Sequence, residues 1–178
     1  MTTQGKTTIL IIVLLALAGG WYYFMRSAPE TGVPTGSTKI VATSTTPQPF
    51  VIDGTPVTLI NGTSVVEVAP GSASKVVTDY FGNEVKADFN GDGTTDSAFL
   101  VTQNGGGSGT FFYVATSLGG PAILLGDRIA PQTTEYRDGK IIVNYADRKA
   151  GEPMAADPSV GVSRYFVVTN GTLVEVSK

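Results

Sequence analysis

Asn-Gly and Asp-Gly pairs between short apolar runs place the strongest constraint on the fold of this chain. Such pairs occur at 61–62, 138–139 and 170–171, and each separates two segments rich in β-branched or aromatic residues. Asn and Asp tolerate the positive φ that a type I′ turn requires, and Gly adopts it freely. Each pair therefore predicts a β-hairpin.

The segments around these turns alternate between apolar and polar residues, which is the period of strands. A glycine run, 105–109, predicts one more hairpin. The predicted hairpins join 57–60 to 63–68, 97–103 to 110–118, 133–137 to 140–145, and 164–169 to 172–176. We expect a mainly β domain of roughly seven to nine strands, whose antiparallel hairpins form a small sandwich or a barrel-like structure.

One short helix is predicted between the first two hairpins, which makes the expected class β-rich α+β. Ser72 follows Pro70-Gly71 and has the side chain of a helix cap. The helix is expected to run to about Tyr80, before Gly82.

The amino-terminal region has the pattern of a single-pass transmembrane helix. Residues 7–25 carry no charge and are flanked by Lys6 and Arg26. Nineteen helical residues span about 28 Å, close to the hydrocarbon thickness of a bilayer. Trp21 and the two tyrosines after it lie at one end, where aromatic rings favour the headgroup layer. Residues 1–26 are thus predicted to be a membrane anchor.

The charges around this segment predict its orientation. Lys6 and the amino group outweigh Arg26, which Glu30 partly offsets, so the amino end is expected in the cytoplasm and the rest outside it. The alternative is a cleaved signal peptide, because Ala16-Leu17-Ala18 has the small-x-small form of a cleavage site. Both interpretations export the remainder of the chain.

A linker and one domain are predicted after the anchor. Residues 27–50 are rich in Ser, Thr, Pro and Gly, a composition that cannot bury enough apolar surface to offset the entropy of ordering. Residues 51–178 have a common size for one independent core. We expect a flexible stalk followed by an extracytoplasmic β domain.

Composition excludes several function classes. The chain has no His and no Cys, so a zinc finger, a His-containing triad, a thiol nucleophile and a disulfide framework are all excluded. A metal site would have to be built from oxygen atoms. The formal net charge of -3 argues against nucleic-acid binding, since phosphate neutralisation needs a basic surface.

One segment, residues 88–96, has the spacing of a loop that binds a hard cation. Oxygen-bearing side chains occupy its positions 1, 3, 5 and 9, and Gly93 at position 6 permits a sharp turn. The predicted Ca²⁺ ligands are the side chains of Asp88, Asn90, Asp92 and Asp96 and the carbonyl of Thr94. The alternative is a solvated acidic turn without an ion.

The segment is not an EF-hand, because position 12 is Phe99 and the residues after the loop are strand-like. Residues 81–102 instead resemble the calcium loop of FG-GAP and VCBS repeats. They show Phe81-Gly82, a short strand at 85–87, the acidic loop, and an apolar strand at 98–101. The resemblance implies a structural Ca²⁺ in a loop between two strands. It does not imply a propeller, since the chain has one such loop.

The domain as a whole resembles a group of uncharacterised single-pass envelope proteins of small-genome bacteria. The strings that carry this resemblance lie at 71–75, 106–111, 126–134 and 143–148. It implies a location in the cell envelope and no particular activity.

A long polar stretch, 146–163, is predicted to be too long for a hairpin connection. Asp127-Arg128 and Asp147-Arg148 place two guanidinium groups near it, either as a ligand surface or as ordinary ion pairs. Glycoside hydrolysis needs two carboxylates across a cleft, for which Asp127, Asp147 and Glu152 are candidates with no spacing that pairs them.

These features lead to two functional hypotheses. The first is a membrane-anchored, calcium-binding β domain that binds an envelope protein or glycan without catalysis. The second is an envelope hydrolase, or a regulator or inhibitor of a wall-degrading enzyme.

Overall fold

A computed structural model of the protein describes residues 49–178. In chain order its strands are β1 (Phe50–Ile52), β2 (Thr55–Val57), β3 (Thr63–Glu67), β4 (Lys75–Ala87), β5 (Asp96–Asn104), β6 (Phe111–Thr116), β7 (Gly120–Pro121), β8 (Ile123–Asp127), β9 (Ala130–Arg137), β10 (Lys140–Asp147), β11 (Val160–Thr169) and β12 (Thr172–Val176). No helix occurs among these residues. The prediction of a mainly β domain is confirmed.

The strands form three sheets. The largest has the order β3-β4-β5-β6-β8, the second β12-β11-β10-β9, and the smallest β2-β1-β7. All neighbouring strands are antiparallel except β1 and β7, which pair in parallel.

The central strand β5 of the five-stranded sheet is buried on both faces. On β5, Ala98 and Leu100 belong to the core shared with the four-stranded sheet, where they join Val143 and Phe166. The residues between and after them, including Phe99, belong to a second core shared with the small sheet. Successive side chains of a strand point to opposite faces, so a continuous apolar run here serves two cores. The five-stranded sheet is thus the middle of three layers.

Three of the predicted hairpins are confirmed. β5 pairs with β6, β9 with β10 and β11 with β12, each antiparallel. Asp138 and Asn170 have φ of 53° and 51°, and the glycines after them are also positive. The turns therefore use the left-handed conformation that their sequences predict.

The turn at Asn61-Gly62 is also confirmed, but it does not join two long strands. Ile60 and Thr63 form an isolated bridge, and the ladder of β3 is made with β4 instead. The sequence analysis missed a further hairpin at Asp53-Gly54, which joins β1 to β2. Its strands have three residues each, too short to show a period.

The predicted helix from Ser72 to about Tyr80 is wrong. Lys75 begins β4, a strand of thirteen residues. The Ser72 hydroxyl accepts a hydrogen bond from the Ser74 N–H, which makes a local turn and not a helix cap. Pro70-Gly71 belongs to the turn between β3 and β4. The β-branched residues at 76–78 and the pairing of β4 on both sides favour the strand.

The segment from Ala146 to Ser163 does belong to a hairpin, contrary to the prediction from its length. β10 and β11 are adjacent, with Asp147 opposite Val160, and residues 148–159 connect them. The Nε of Arg148 donates to the Ala156 carbonyl at 2.6 Å, and the Ser159 N–H donates to the Asp147 carbonyl at 2.8 Å. Internal hydrogen bonds thus support a connection that is long for a hairpin.

The predicted membrane segment, 1–26, and most of the predicted linker lie outside the described residues. Across residues 49–178, no helix has the length and apolar character needed to cross a membrane. Phe50, placed at the end of the linker by composition, begins β1 and is 1% exposed.

Candidate functional site

The acidic loop, residues 88–96, connects two neighbouring antiparallel strands. β4 ends at Ala87 and β5 begins at Asp96, and these two residues are opposite each other in the ladder. Gly91 and Gly93 have φ of 79° and 84°. A side chain would be strained at both positions, so the glycines allow a compact turn between the strands.

At the exposed tip of the loop, side-chain oxygens accept backbone hydrogen bonds. The carboxylate of Asp88 accepts from the N–H groups of Gly91 at 2.7 Å, Asp92 at 3.2 Å and Gly93 at 2.9 Å. The carboxylate of Asp92 accepts from the Thr94 N–H at 2.7 Å. These are local turns of the Asx type, which hold the loop through its own acidic side chains.

Asn90 forms two hydrogen bonds with Asp92 at the tip. Its amide nitrogen donates to Asp92 Oδ2 at 2.9 Å, and its amide oxygen accepts from the Asp92 N–H at 3.0 Å. The hydrogen bonds from Asn90 and then from the Thr94 backbone lower the pKa of Asp92. The Asp92 carboxylate is thus stabilised in its ionised form by the Asn90 amide nitrogen and the Thr94 N–H.

The base of the loop is fixed in the core. Asp96 is 5% exposed, and its carboxylate accepts from the Phe89 N–H at 3.0 Å. Phe89 is buried in the core between the two larger sheets and packs against Tyr136 of β9 in a tilted arrangement, with ring centroids 5.1 Å apart. The exposed acidic tip is therefore joined to the core through Asp96 and Phe89.

The five predicted ligands have the right donor atoms for a hard cation, but the structure does not arrange them around one point. All five predicted ligands offer oxygen, which suits Ca²⁺. However, no group of three acidic side chains in residues 49–178 is arranged to hold a metal ion. Asp88, Asn90, Asp92 and Thr94 lie together at the tip, whereas the bonded oxygen of Asp96 is directed at the Phe89 N–H. Several carboxylate oxygens are already used by backbone N–H groups.

A carboxylate has about four acceptor positions, so hydrogen bonding does not use up the loop's acceptors. Asp88 accepts three backbone N–H groups, and Asp92 accepts Asn90 and Thr94. Each of these two side chains therefore keeps acceptor capacity. Binding of a cation would require them to share or exchange their present hydrogen bonds.

The carboxylates proposed for hydrolysis are each engaged with other groups. Asp127 forms an ion pair with Arg128 at 3.1 Å, and Glu152 lies 3.9 Å from Lys149. Asp147 accepts from the Arg148 N–H at 2.7 Å. Partial burial raises the pKa of Asp127, but hydrogen bonds from Arg128 and the Thr110 N–H and the charges of Arg128 and Arg148 outweigh it, so this pKa is lowered overall. Asp127 is therefore held as an anion, which does not suit a general acid.

Arg148 has a role that the sequence analysis did not predict. Besides Ala156, its guanidinium donates to the carbonyls of Asp127 at 3.4 Å and Arg128 at 2.8 Å. A charged donor on backbone carbonyls is a strong structural contact. The sequence signal was the Asp-Arg pair at 147–148, but nothing in it identifies carbonyls as the partners. The Arg148 guanidinium is therefore hydrogen-bonded within the domain.

Comparison with known proteins gives no relationship. No family model, no curated protein and no solved structure matches this chain.

Proposed function

We propose that the protein is a membrane-anchored, extracytoplasmic β domain that holds a structural Ca²⁺ in the acidic loop and binds an envelope protein or glycan without catalysis. The apolar segment 7–25, with its flanking charges, supports the anchor and the exported domain. The Ser, Thr, Pro and Gly content of residues 27–50 supports a stalk between them.

The observation that carries the calcium proposal is the contrast between the base and the tip of the acidic loop. Asp96 is buried and bonded to the backbone of Phe89, while Asp88, Asn90 and Asp92 are gathered at an exposed tip. A cation held there by Asp88, Asn90, Asp92, the Thr94 carbonyl and Asp96 would neutralise carboxylates that otherwise repel one another. Its contribution would be to stability.

The contacts of the carboxylates considered for hydrolysis favour binding over catalysis. Asp127 and Glu152 are next to basic side chains, and the lowered pKa of Asp127 opposes proton donation near neutral pH. We therefore propose a binding module and no reaction.

Calcium should raise the melting temperature of the domain. Extracellular sites of this kind bind at about 0.1 to 1 mM, so Ca²⁺ at ten times the dissociation constant adds about 1.4 kcal/mol to the free energy of unfolding. The measurement is thermal unfolding of residues 43–178, which form one compact unit, in calcium and in chelator. Asp92→Ala should abolish the increment.

Asp157→Ala is the matched control, since Asp157 is an exposed carboxylate outside the loop and should leave the calcium increment unchanged. Equal melting temperatures of the wild-type domain in calcium and in chelator would contradict the calcium site. In that case the loop is stabilised by its own Asx turns.

The partner proposal is tested by capture. Immobilised residues 43–178, incubated with solubilised envelope of the producing cell, should retain one protein or glycan that resin alone does not. If the domain retains nothing in either calcium or chelator, the binding module loses its support, whatever the calcium measurement gives.

A further inference from the structure

The outer side of β3 is an open sheet edge. β3 is the first strand in the order of the five-stranded sheet and pairs with β4 on its inner side. Within residues 49–178, the pairing on its outer side is limited to the bridge between Ile60 and Thr63. The rest of the strand therefore presents backbone groups to solvent.

The hydrogen-bond pattern identifies these groups. The Tyr80 N–H donates to the Gly62 carbonyl and the Val68 N–H donates to the Ser74 carbonyl, so the even-numbered residues of this segment face β4. Residues of an antiparallel ladder alternate between facing one neighbour and the other. The N–H and C=O groups of Val65 and Glu67 therefore face outward. The N–H and C=O groups of Thr63 also face outward, but they are hydrogen-bonded to Ile60.

The valine side chains at this edge are exposed. The exposed fractions of Val65, Val66 and Val68 are 54%, 41% and 60%. Natural edge strands are commonly protected by Lys, Pro or a bulge. β3 has the sequence Thr-Ser-Val-Val-Glu and a regular register with β4, so it has no Lys, Pro or bulge, and its one charged residue is Glu67 at its end. Free backbone groups beside β-branched side chains can form main-chain hydrogen bonds with an added β-strand.

We propose that β3 pairs with β3 of a second copy of this chain, antiparallel, with Val66 of one copy opposite Val66 of the other. The result would be a continuous sheet through two domains. This inference is independent of the proposed function, because it uses neither the calcium loop nor an envelope partner.

The free groups select this register. Pairing centred on Val65 would place Thr63 opposite Glu67 of the second copy and would need the backbone groups of Thr63, which Ile60 occupies. Pairing centred on Val66 places Val65 opposite Glu67, and both residues have outward N–H and C=O groups. A two-fold axis at Val66 thus pairs the open groups of Val65 and Glu67 in both copies. The ladder ends at these residues, because Ala69 of the second copy would next lie opposite Thr63, whose groups are bonded to Ile60.

The side chains support a second copy as the occupant. Val66 lies opposite Val76 of β4, so the pairing would place valines from both copies in one row on one face. Glu67 lies opposite Lys75 within each copy and would face Val65 of the other. Like charges therefore do not meet directly across the axis, and β-branched pairs are favourable in sheets.

A single engineered cysteine tests the register, because the natural chain has no Cys. Residues in a non-hydrogen-bonded antiparallel pair have Cα atoms about 4.5 Å apart, which a disulfide can bridge. In the proposed register, Val65 lies opposite Glu67 of the second copy. The Cα atoms of the two Val65 residues are therefore farther apart than the roughly 7 Å limit for a disulfide. Val66→Cys should therefore form a disulfide dimer at least about tenfold faster than Val65→Cys.

The measurement is disulfide formation by the purified full-length chain in mild detergent under an oxidising buffer. In the Val66→Cys background, Glu67→Pro removes an outward N–H that the β4 ladder does not use, and should slow the reaction by about tenfold. Melting curves of the cysteine variants establish that they remain folded before their rates are compared.

Equal rates for the two cysteine variants would overturn the proposal, since they would indicate random collision. A folded Val66→Cys chain that stays monomeric would overturn it as well. If Val66→Cys in cells forms a mixed disulfide with a different protein and no dimer, the edge accepts another protein's strand and the second copy is the wrong occupant.

Discussion

The five-stranded sheet ends on β8 at one side and on β3 at the other, and the two edges differ in what meets their backbone. At β8, side chains from the four-stranded sheet and its loop reach the carbonyls. At β3, a single bridge covers one end of the strand. Both strands have five residues, so length does not explain the difference.

The β8 edge is covered by donors from β10, β11 and the loop between them. Arg164 donates to the Leu124 carbonyl, and the Tyr145 hydroxyl donates to the Leu125 carbonyl at 3.3 Å. Arg148 donates to the carbonyls just beyond, at Asp127 and Arg128. These carbonyls are therefore hydrogen-bonded within the domain, which makes them poor acceptors for another strand.

The backbone at the β3 edge lies beside exposed valines, whereas carbonyls at the β8 edge accept hydrogen bonds from arginines. The four-stranded sheet packs on one face of the five-stranded sheet, and the guanidinium of its Arg164 reaches the Leu124 carbonyl of β8. The described residues show no equivalent donor on β3, whose outward groups at Val65 and Glu67 face solvent. Two edges of one sheet thus differ by the side chains available to cover them. The difference supports a recognition role for β3 and a structural role for the arginines at β8.

The largest effect that tests this comparison is expected at Arg148. Arg148→Ala removes a charged donor shared by the carbonyls of Asp127, Arg128 and Ala156. Hydrogen bonds to charged groups contribute about 1.5 to 3 kcal/mol, and the carbonyls left behind are partly buried, so we expect a loss of about 2 to 3 kcal/mol. Chemical denaturation of residues 43–178 measures it.

Arg137→Ala is the matched control, because Arg137 is 64% exposed at its side chain and forms only a 3.8 Å ion pair with Glu135. Exposed pairs of this kind contribute little, so the control should change stability by less than about 0.5 kcal/mol. If Arg148→Ala is as mild as the control, the β8 edge is not held by its arginine and the contrast with β3 disappears.

Much of the fold was predictable because turn chemistry is local. Asp138-Gly139 and Asn170-Gly171 determine the backbone angles of their turns without help from the rest of the chain. The helix expected after Ser72 failed for the opposite reason. Val76 and Val77 fit either a helix face or a strand, and the choice is made by pairing with β3 and with the more distant β5, which lie outside the segment itself.

The sequence identified the acidic loop but not its contacts, and the calcium ligands within it stay a prediction. The spacing of Asp88, Asn90 and Asp92 identifies a compact acidic turn, and the structure places these side chains together. The burial of Asp96 against the Phe89 backbone depends on the packing of Phe89 on Tyr136, nearly fifty residues away. Likewise, no local pattern shows that β3 lies at an edge, because strand order is a property of the whole sheet.

A smaller effect is expected from acid at the β8 edge. Glu175 accepts two hydrogen bonds from the Arg164 guanidinium, and these, outweighing desolvation, lower the pKa of Glu175. A lowered folded pKa means that the ionised form stabilises the folded state above the unfolded pKa, about 4.3 for Glu. This contribution is lost as the pH falls through the lower folded pKa. Because Glu175 is 45% exposed, we expect no more than about 1 kcal/mol.

The measurement is the difference in unfolding free energy between wild type and Glu175→Gln, taken from pH 7 down to pH 3. The difference should be constant above about pH 5 and shrink below about pH 4, as the carboxylate that distinguishes the two proteins becomes protonated. Glu135→Gln, with its longer and exposed ion pair, provides the comparison variant. A Glu175→Gln difference that stays flat through this range would show that the Arg164 contact with Leu124 holds the β8 edge without its carboxylate.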